Sequence, residues 1–319
     1  MGTGVVSIVL RQLPYTATAV HYVSYVVFGL NVVLFCLFTA ITVARYVLYP
    51  GTWPAMIAHP TEPLFLGCFP IGFATIIDMM AICCKSWGHG FIYLTWSFWW
   101  VDVVLSVAVC ISMSFIVMAH HKPDLQTMTA ALLLPIVPTI VAAGSGSILS
   151  DVLPNDYHAW TTIVTSYVLW GIGESFTACV VAVYFMRLSL YHLAPGDVIV
   201  SAFLPIAPLG QGGFGIQKLG KMALARLPKT KAFVSLGVGA TRPGEVLYVL
   251  GVFLALLMWG FGLIWLAFAI ISVATTRNIP YNLGWWGAIF PLGVLALCSG
   301  LLGVDLDSDF FRVSAMYGL

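Results

Sequence analysis

The chain has 319 residues, of which 61% are apolar and only 8% are charged, and its net charge at pH 7 is +1. Soluble domains carry about a quarter charged residues, so a water-soluble fold of this length could not cover its surface. The near-zero net charge provides no general field for binding nucleic acid. The composition therefore predicts an all-α membrane protein and excludes nucleic acid as a partner.

Eight mostly apolar windows are long enough, at about 20 residues, to cross a bilayer as helices. They cover residues 21–49, 64–84, 91–119, 127–149, 160–191, 195–216, 245–274 and 281–304. Two shorter apolar pieces, 1–10 and 310–319, are interpreted as parts of a first and a tenth helix that the chain cuts. We therefore expect one transmembrane transporter or channel domain over residues 1–319, with ten helices.

A proline motif recurs in every second window. It reads bulky–bulky–Pro–aliphatic, and its prolines lie about 65, 70 and 86 residues apart, at Pro70, Pro135, Pro205 and Pro291. Proline removes a backbone donor and kinks a helix. The polar groups freed at a kink must face protein or a water-lined cavity. This internal repeat predicts kinked inner helices around a central pore, with the long proline-free helices outside. The alternative is that the prolines only adjust helix packing.

Small residues accompany the prolines and are predicted to line the same kinks. They let a backbone approach a solute or another helix, and they are Gly2, Gly4, Gly72, Gly144, Gly212 and Gly293. Gly2 and Gly4 assign the first helix to the inner group, which gives an inner ring of five helices within five helical hairpins. The run Gly210–Gly215 also matches G-x-G-x-x-G, but no strand precedes it, so a dinucleotide site is not expected.

Three carboxyl groups lie deep inside predicted helices, where ionisable residues are costly and functional by default. Glu174 and Asp78 are candidates for proton coupling. Hydrogen bonding between helices, or a position near a membrane face, is the alternative for Asp78 and for Asp102.

No lysine or arginine lies at the centre of a proline-containing window, so an anion pathway would depend on weak attraction from hydroxyl groups, amides and helix ends. The candidate contacts are Ser7, Thr75, Thr139 and Gln211. Basic residues instead follow the sixth window, beginning with Lys218, Lys221 and Arg226 and continuing through Lys229, Lys231 and Arg242. This segment is interpreted either as an anion-gathering vestibule or as a loop on lipid headgroups. Counting basic residues by loop assigns it to the cytosol.

Several motifs resemble those of fungal sulfite efflux pumps. The similar stretches are Met1–Ile8, Phe69–Gly72 and Pro280–Gly293. The wider family includes fungal malate permeases, bacterial tellurite-resistance homologues and plant slow anion channels. The resemblance implies five hairpins, an inner ring kinked by prolines, and an amino terminus in the cytosol, which contradicts the orientation from the charge count. It also implies a pore-plugging phenylalanine, which matches Phe290, with Phe69 in the corresponding position of helix three. A packing role is the alternative for both.

We therefore predict export of sulfite or bisulfite across a fungal plasma membrane through a pore gated by phenylalanine. The alternatives are a malate or other C4-dicarboxylate permease of the same fold and a proton-coupled anion carrier. No enzymatic activity, cofactor or metal is expected. The resemblance also implies a homotrimer, with a dimer as the alternative.

Overall fold

The computed structural model describes residues 1–13, 17–83, 87–120, 124–230, 242–277 and 279–317, and only the backbone of residue 197. The described chain is helical throughout, with eleven α-helices and no strand. The α-helices are α1 Gly2–Gln12, α2 Thr18–Leu48, α3 Thr52–Ala58, α4 Cys68–Cys83, α5 His89–Ala119, α6 Val137–Val152, α7 Asp156–Tyr191, α8 Ile206–Arg226, α9 Arg242–Thr275, α10 Ile289–Asp305 and α11 Asp309–Tyr317.

Seven helical stretches of the described chain are long and apolar enough to cross a membrane. They confirm seven of the eight predicted windows. The remaining window, residues 127–149, is not among them, because a turn divides it and leaves the 16-residue helix α6 as a separate, shorter apolar helix. A turn containing Pro135 separates α6 from a short 3₁₀ segment, Ala130–Leu133, so the helix cannot extend toward residue 127.

Each recurring proline lies at a junction between a 3₁₀ segment and an α-helix. The 3₁₀ segments Glu62–Gly67, Ala130–Leu133, Gly196–Phe203 and Leu283–Ala288 precede α4, α6, α8 and α10 respectively. Proline is the third residue of α4 and of α10, the residue before α8, and the second residue before α6. The first turn of a helix has no internal partner for its N–H groups, so proline is tolerated there. The sequence predicts kinks inside helices; the structure has a change of helix type at the start of each helix instead.

Five helices that alternate along the chain with the long ones contact one another in a closed order. We call them the short or inner helices, and they are α1, α4, α6, α8 and α10. Helix α1 contacts α4 and α10, α4 contacts α6, α6 contacts α8, and α8 contacts α10. Each also packs against the next long helix or, for α10, against α11. The membrane-spanning window that contains α8 is 89% buried and those of α4 and α10 are 61% buried, whereas those of α2, α5, α7 and α9 are 6–28% buried. The short helices therefore form the interior, and the long ones present their apolar faces to lipid.

Candidate functional site

The five short helices or the turns that precede them meet around one small cavity, which we call the constriction. It is lined by Met1, Ile71, Leu133, Leu134, Val137, Leu204, Ala207, Gly287, Phe290 and Pro291. Its volume is about 10 Å³, close to the minimum that holds a single water molecule. Phe290, the one aromatic residue in this lining, is 3% exposed. The cavity therefore has room for about one water molecule and for no larger group.

The constriction is built from the repeated proline motif. Leu134 and Phe290 directly precede Pro135 and Pro291, Leu204 precedes Pro205, and Ile71 follows Pro70. Equivalent positions of a repeat come to the same level when the helices run in parallel, so their bulky side chains converge. Of the predicted residues, Phe290 and Pro291 are in this lining, whereas Pro70, Pro135 and Pro205 are not. The prediction missed Ile71, Leu133 and Leu204, which the bulky and aliphatic positions of the same repeat would have identified.

Phe69, the second predicted gate residue, lies elsewhere. Its side chain is 41% exposed and its ring stacks on Phe35 of α2, with 5.2 Å between ring centroids. It does not line the constriction. Because α2 is one of the long outer helices, Phe69 faces outward from the inner five.

Two larger cavities lie at opposite ends of the inner helices. The N-terminal vestibule, about 490 Å³, opens among the 3₁₀ segments and shares Met1, Leu134, Leu204 and Gly287 with the constriction. The C-terminal mouth, about 230 Å³, lies at the other end of the same helices. All five contribute to it, through Gln12, Ala81, Ile82, Ile148, Asp151, Val152, Phe214, Lys218 and Leu301. The constriction therefore adjoins the vestibule, and the mouth lies beyond it along the same helices.

Helical spacing identifies the side chains between the constriction and the mouth. On α4, Ile71 lines the constriction and Ile82 lines the mouth. Asp78 lies seven residues after Ile71 and four before Ile82, which places it on the same face of the helix. On α8, Gln211 lies four residues after Ala207, which lines the constriction, and seven before Lys218. Asp78 and Gln211 therefore share the interior face with the lining residues.

The three predicted hydroxyl contacts are already used within their own helices. Ser7 donates to the carbonyl oxygen of Gly4 at 2.6 Å, and Thr75 donates to that of Gly72 at 2.7 Å. Thr139 donates in the same way to a carbonyl of the preceding turn, at 2.8 Å.

Two of these hydroxyls also face away from the lining residues. Asn31 of α2 donates to Thr75 Oγ1 at 3.2 Å, and Thr139 lies against Gly173 of the long helix α7. Gln211, the fourth predicted contact, instead packs its side-chain amide between two inner helices, with Nε2 against Gly144 of α6.

Most of the predicted kink glycines are positions of close approach between helices. An added Cβ at Gly4 would meet Thr75, and one at Gly144 would meet Gln211. At Gly293 the added Cβ would lie 2.9 Å from a side-chain carbon of Val5. Gly2 and Gly72 have ordinary contact distances of 3.4 Å or more. These glycines let the inner helices pack tightly against their neighbours.

Glu174 lies on the long helix α7 and packs against Gly212 of α8. Its buried Oε1 has no hydrogen-bond partner among the described residues. Trp170, one turn earlier, donates from Nε1 to the carbonyl oxygen of Gly212 at 3.0 Å. Glu174 thus meets α8 from the side of the outer helices, away from the face that carries Gln211.

The basic segment that begins at Lys218, predicted as an anion-gathering vestibule, is separate from the N-terminal vestibule. Its first three basic side chains pair with aspartates. Lys218 lies 3.6 Å from a carboxylate oxygen of Asp151, and Lys221 lies 2.8 Å from that of Asp305. Asp305 has a side chain that is 1% exposed and also accepts a 2.7 Å bond from Gln217. These contacts fasten α8 to α6 and α10.

Arg226 completes this set. It donates to a carboxylate oxygen of Asp156 at 2.6 Å and to the backbone oxygens of Asp151 and Leu153. Lys231, predicted to continue the basic segment, lies outside the described residues. Lys218, Lys221 and Arg226 therefore tie helices together, and aspartates balance their charges.

The fold and the site together define a multi-pass helical membrane protein, in which short buried helices enclose a constriction with a cavity at either end.

Comparison with known proteins gives the family. The family model described as SLAC1, voltage-dependent anion channel, matches residues 1–318. Proteins named sulfite efflux pump SSU1 from Arthroderma benhamiae and Trichophyton rubrum are each 45% identical over 314 residues, covering 98% of this chain and 82% of the relative. A malic acid transport protein of Schizosaccharomyces pombe is 22% identical over 318 residues, covering 98% and 71%. The chain belongs to the SLAC1 family of voltage-dependent anion channels.

Proposed function

We propose that this protein exports sulfite or bisulfite across the plasma membrane through a pore enclosed by the five short helices. Relatives that are 45% identical and carry the name sulfite efflux pump support the substrate. The closed order of contacts among α1, α4, α6, α8 and α10 supports the pore. In this proposal the chain forms ten membrane helices in five hairpins, each hairpin joining one inner helix to one outer helix.

The observation that carries the proposal is the position of Phe290. Its buried ring lies in the constriction to which all five inner helices or their preceding turns contribute. The vestibule adjoins this point, and the mouth lies farther along the same helices. A rotation of one side chain would therefore widen the narrowest part of the path without moving the helices. Phe69 has no part in this gate, because it stacks on the outer helix α2.

The lining favours a small anion over a dicarboxylate. Among the described residues that line the constriction, the vestibule and the mouth, Lys218 is the one lysine or arginine, and Asp151 pairs with it. A dianion of the size of malate would need a cationic pair to replace its hydration. A small, singly charged anion such as bisulfite can pass on weak contacts such as the Gln211 amide, and weak contacts allow fast release.

The direction of transport follows from the orientation implied by the family resemblance. With the amino terminus toward the cytosol, the vestibule opens inward and the C-terminal mouth opens outward. The inside-negative membrane potential then drives anions out of the cell without a cofactor.

The outer surface is proposed to contact lipid and further copies of the chain. Only 6% of the membrane-spanning window of α2 is buried, so nearly its whole length is open to such contacts. The family resemblance favours a homotrimer, with a dimer as the alternative.

A proton-coupled anion carrier is the second candidate. The observation that favours it is Asp78, which lies on the interior face of α4. Glu174 supports it less, because it meets α8 from the side of the outer helices.

Anion flux into proteoliposomes under an imposed potential tests the proposal. We expect sulfite flux that follows the voltage, continues without a proton gradient and exceeds malate flux. Transport of malate alone would favour the dicarboxylate permease. Flux that requires a proton gradient would favour the carrier, and the absence of any anion flux would overturn both.

A further inference from the structure

Two buried aspartates lie on the neighbouring helices α4 and α5. Asp78 on α4 is 5% exposed and Asp102 on α5 is fully buried. They are close enough for their charges to interact. Like charges in one buried site cannot both ionise at low cost, so such a pair holds at least one proton.

Several oxygen atoms in this site have no hydrogen-bond partner among the described residues. They are Asp78 Oδ1 and both carboxyl oxygens of Asp102. Ser145, on α6, lies beside Asp78. Buried polar atoms are normally paired, so this many unpaired oxygens mark a site with unused capacity for a ligand.

The described charges on neighbouring elements are engaged elsewhere. Arg11 of α1 contacts His21 Nδ1 at 2.8 Å, and its guanidinium also lies over the ring of Tyr25. On α2, Arg45 lies over the ring of Tyr46.

The other titratable groups on α4, α5 and α6 either pair with another residue or lie far along the helix from the two aspartates. Asp151 of α6 pairs with Lys218. On the two helices themselves, Cys68 and Cys83 lie at the ends of α4, and Cys110 lies about two turns beyond Asp102. Among the described residues, no cation compensates the two carboxyl groups.

We infer that Asp78 and Asp102 form a proton-binding site in the wall of the pathway, and that Asp78 in its protonated form donates a hydrogen bond to the passing anion. This inference rests on the proposed function, because it needs an anion on the interior face of α4. Asp78 is the group that meets the anion. Asp102 is a positioning residue that acts through Asp78.

The site makes anion flux depend on pH in a definite direction. When Asp78 is protonated, its neutral carboxyl group offers a donor to the anion. When it is ionised, it places a negative charge on the path and repels the anion. Flux should therefore fall as pH rises, and Asp78→Asn, whose amide is a permanent neutral donor, should remove that fall.

The experiment measures sulfite flux in proteoliposomes over a pH series for the wild type and four variants. Because bisulfite itself loses a proton near neutral pH, the readout is the ratio of variant flux to wild-type flux at each pH. We expect this ratio to rise several-fold with pH for Asp78→Asn. For Asp102→Asn we expect the fall in flux to remain but to occur at a different pH, because Asp102 acts only through Asp78. The exposed Glu245→Gln should give a ratio that does not change with pH.

A ratio for Asp78→Asn that stays constant with pH would overturn the inference, and so would a rising ratio for Glu174→Gln in its place. Either result would leave the proposed export function standing. A second readout needs no flux at all: the infrared carbonyl stretch of a protonated carboxylic acid in the purified protein at neutral pH. We expect Asp78→Asn to weaken this band, and an unchanged band would contradict the site even if the protein transported nothing.

Discussion

Several inner helices approach each other at glycines that face a neighbouring backbone. A Cβ added to Gly210 of α8 would lie 2.7 Å from the backbone nitrogen of Leu295 on α10. A backbone atom cannot rotate away as the end of a side chain can. Gly210 therefore sets the distance between two of the helices that enclose the constriction.

Gly210→Ala should destabilise the protein by about 1–3 kcal/mol, because α8 and α10 must separate to admit the methyl group. The matched control is Gly260→Ala on α9, where no other heavy atom lies within 4 Å of the added carbon. Alanine is a better helix former than glycine, so this control should keep or slightly raise stability. Thermal unfolding of the purified protein in detergent compares the two. Equal unfolding temperatures would contradict the role of Gly210.

The predicted hydroxyl contacts show where residue identity alone misleads. Ser7, Thr75 and Thr139 are polar residues in apolar helices, which is why the sequence suggested anion contacts. Each hydroxyl instead donates to a carbonyl of the preceding turn. This local bond is always available to serine and threonine in a helix, so their presence does not show that a donor faces the interior. Gln211 has a longer side chain, whose amide extends past its own helix to Gly144 of α6.

At the scale of the helix, the repeated proline motif predicted which segments lie inside, and the burial of α4, α8 and α10 agrees with it. It did not predict how the backbone responds. A 3₁₀ segment and an α-helix share similar apolar patterns, so the pattern cannot show where one becomes the other. The window 127–149 was therefore predicted as one continuous helix, although part of it is the 3₁₀ segment and turn before α6.

The sequence also did not predict which face of each inner helix turns toward the constriction. Phe69 and Phe290 each directly precede a proline of the motif, and both were predicted to form the gate. In α10 the residue before the proline lines the constriction, whereas in α4 the residue after it, Ile71, does so. Which face turns inward depends on packing against the partner helices, which the motif does not encode.

At the scale of the whole molecule, paired charges make the charge count of the loops unreliable as a guide to orientation. The segment that begins at Lys218 is basic in sequence, and the positive-inside rule would put it in the cytosol. In the structure Lys218, Lys221 and Arg226 each pair with an aspartate from a distant part of the chain. The net field at this end is therefore much weaker than the count suggests. The opposite orientation, implied by the family resemblance, is then compatible with the charges.

Asp151→Asn should raise anion conductance by freeing the charge of Lys218 at the C-terminal mouth. A positive charge at a pore opening concentrates anions, and salt screens the effect, so we expect a several-fold rise at low ionic strength that shrinks as salt is added. The measurement is conductance in planar bilayers over a salt series. Asp307→Asn removes the same charge from a residue that does not line the mouth, and it should change conductance little. Equal effects of the two variants would mean that Lys218 does not face the ion path.

The claim that the inner helices enclose an anion path closed by Phe290 is tested most directly by the conductance of Phe290→Ala. Truncation of the ring opens the constriction, so the account predicts about a tenfold or larger rise in sulfite conductance over wild type, since a barrier lowered by about 1.4 kcal/mol gives that factor. Phe69→Ala, which removes the same ring from the outward face of α4, should conduct like wild type. A correctly folded Phe290→Ala protein that conducts no better than wild type would contradict the account.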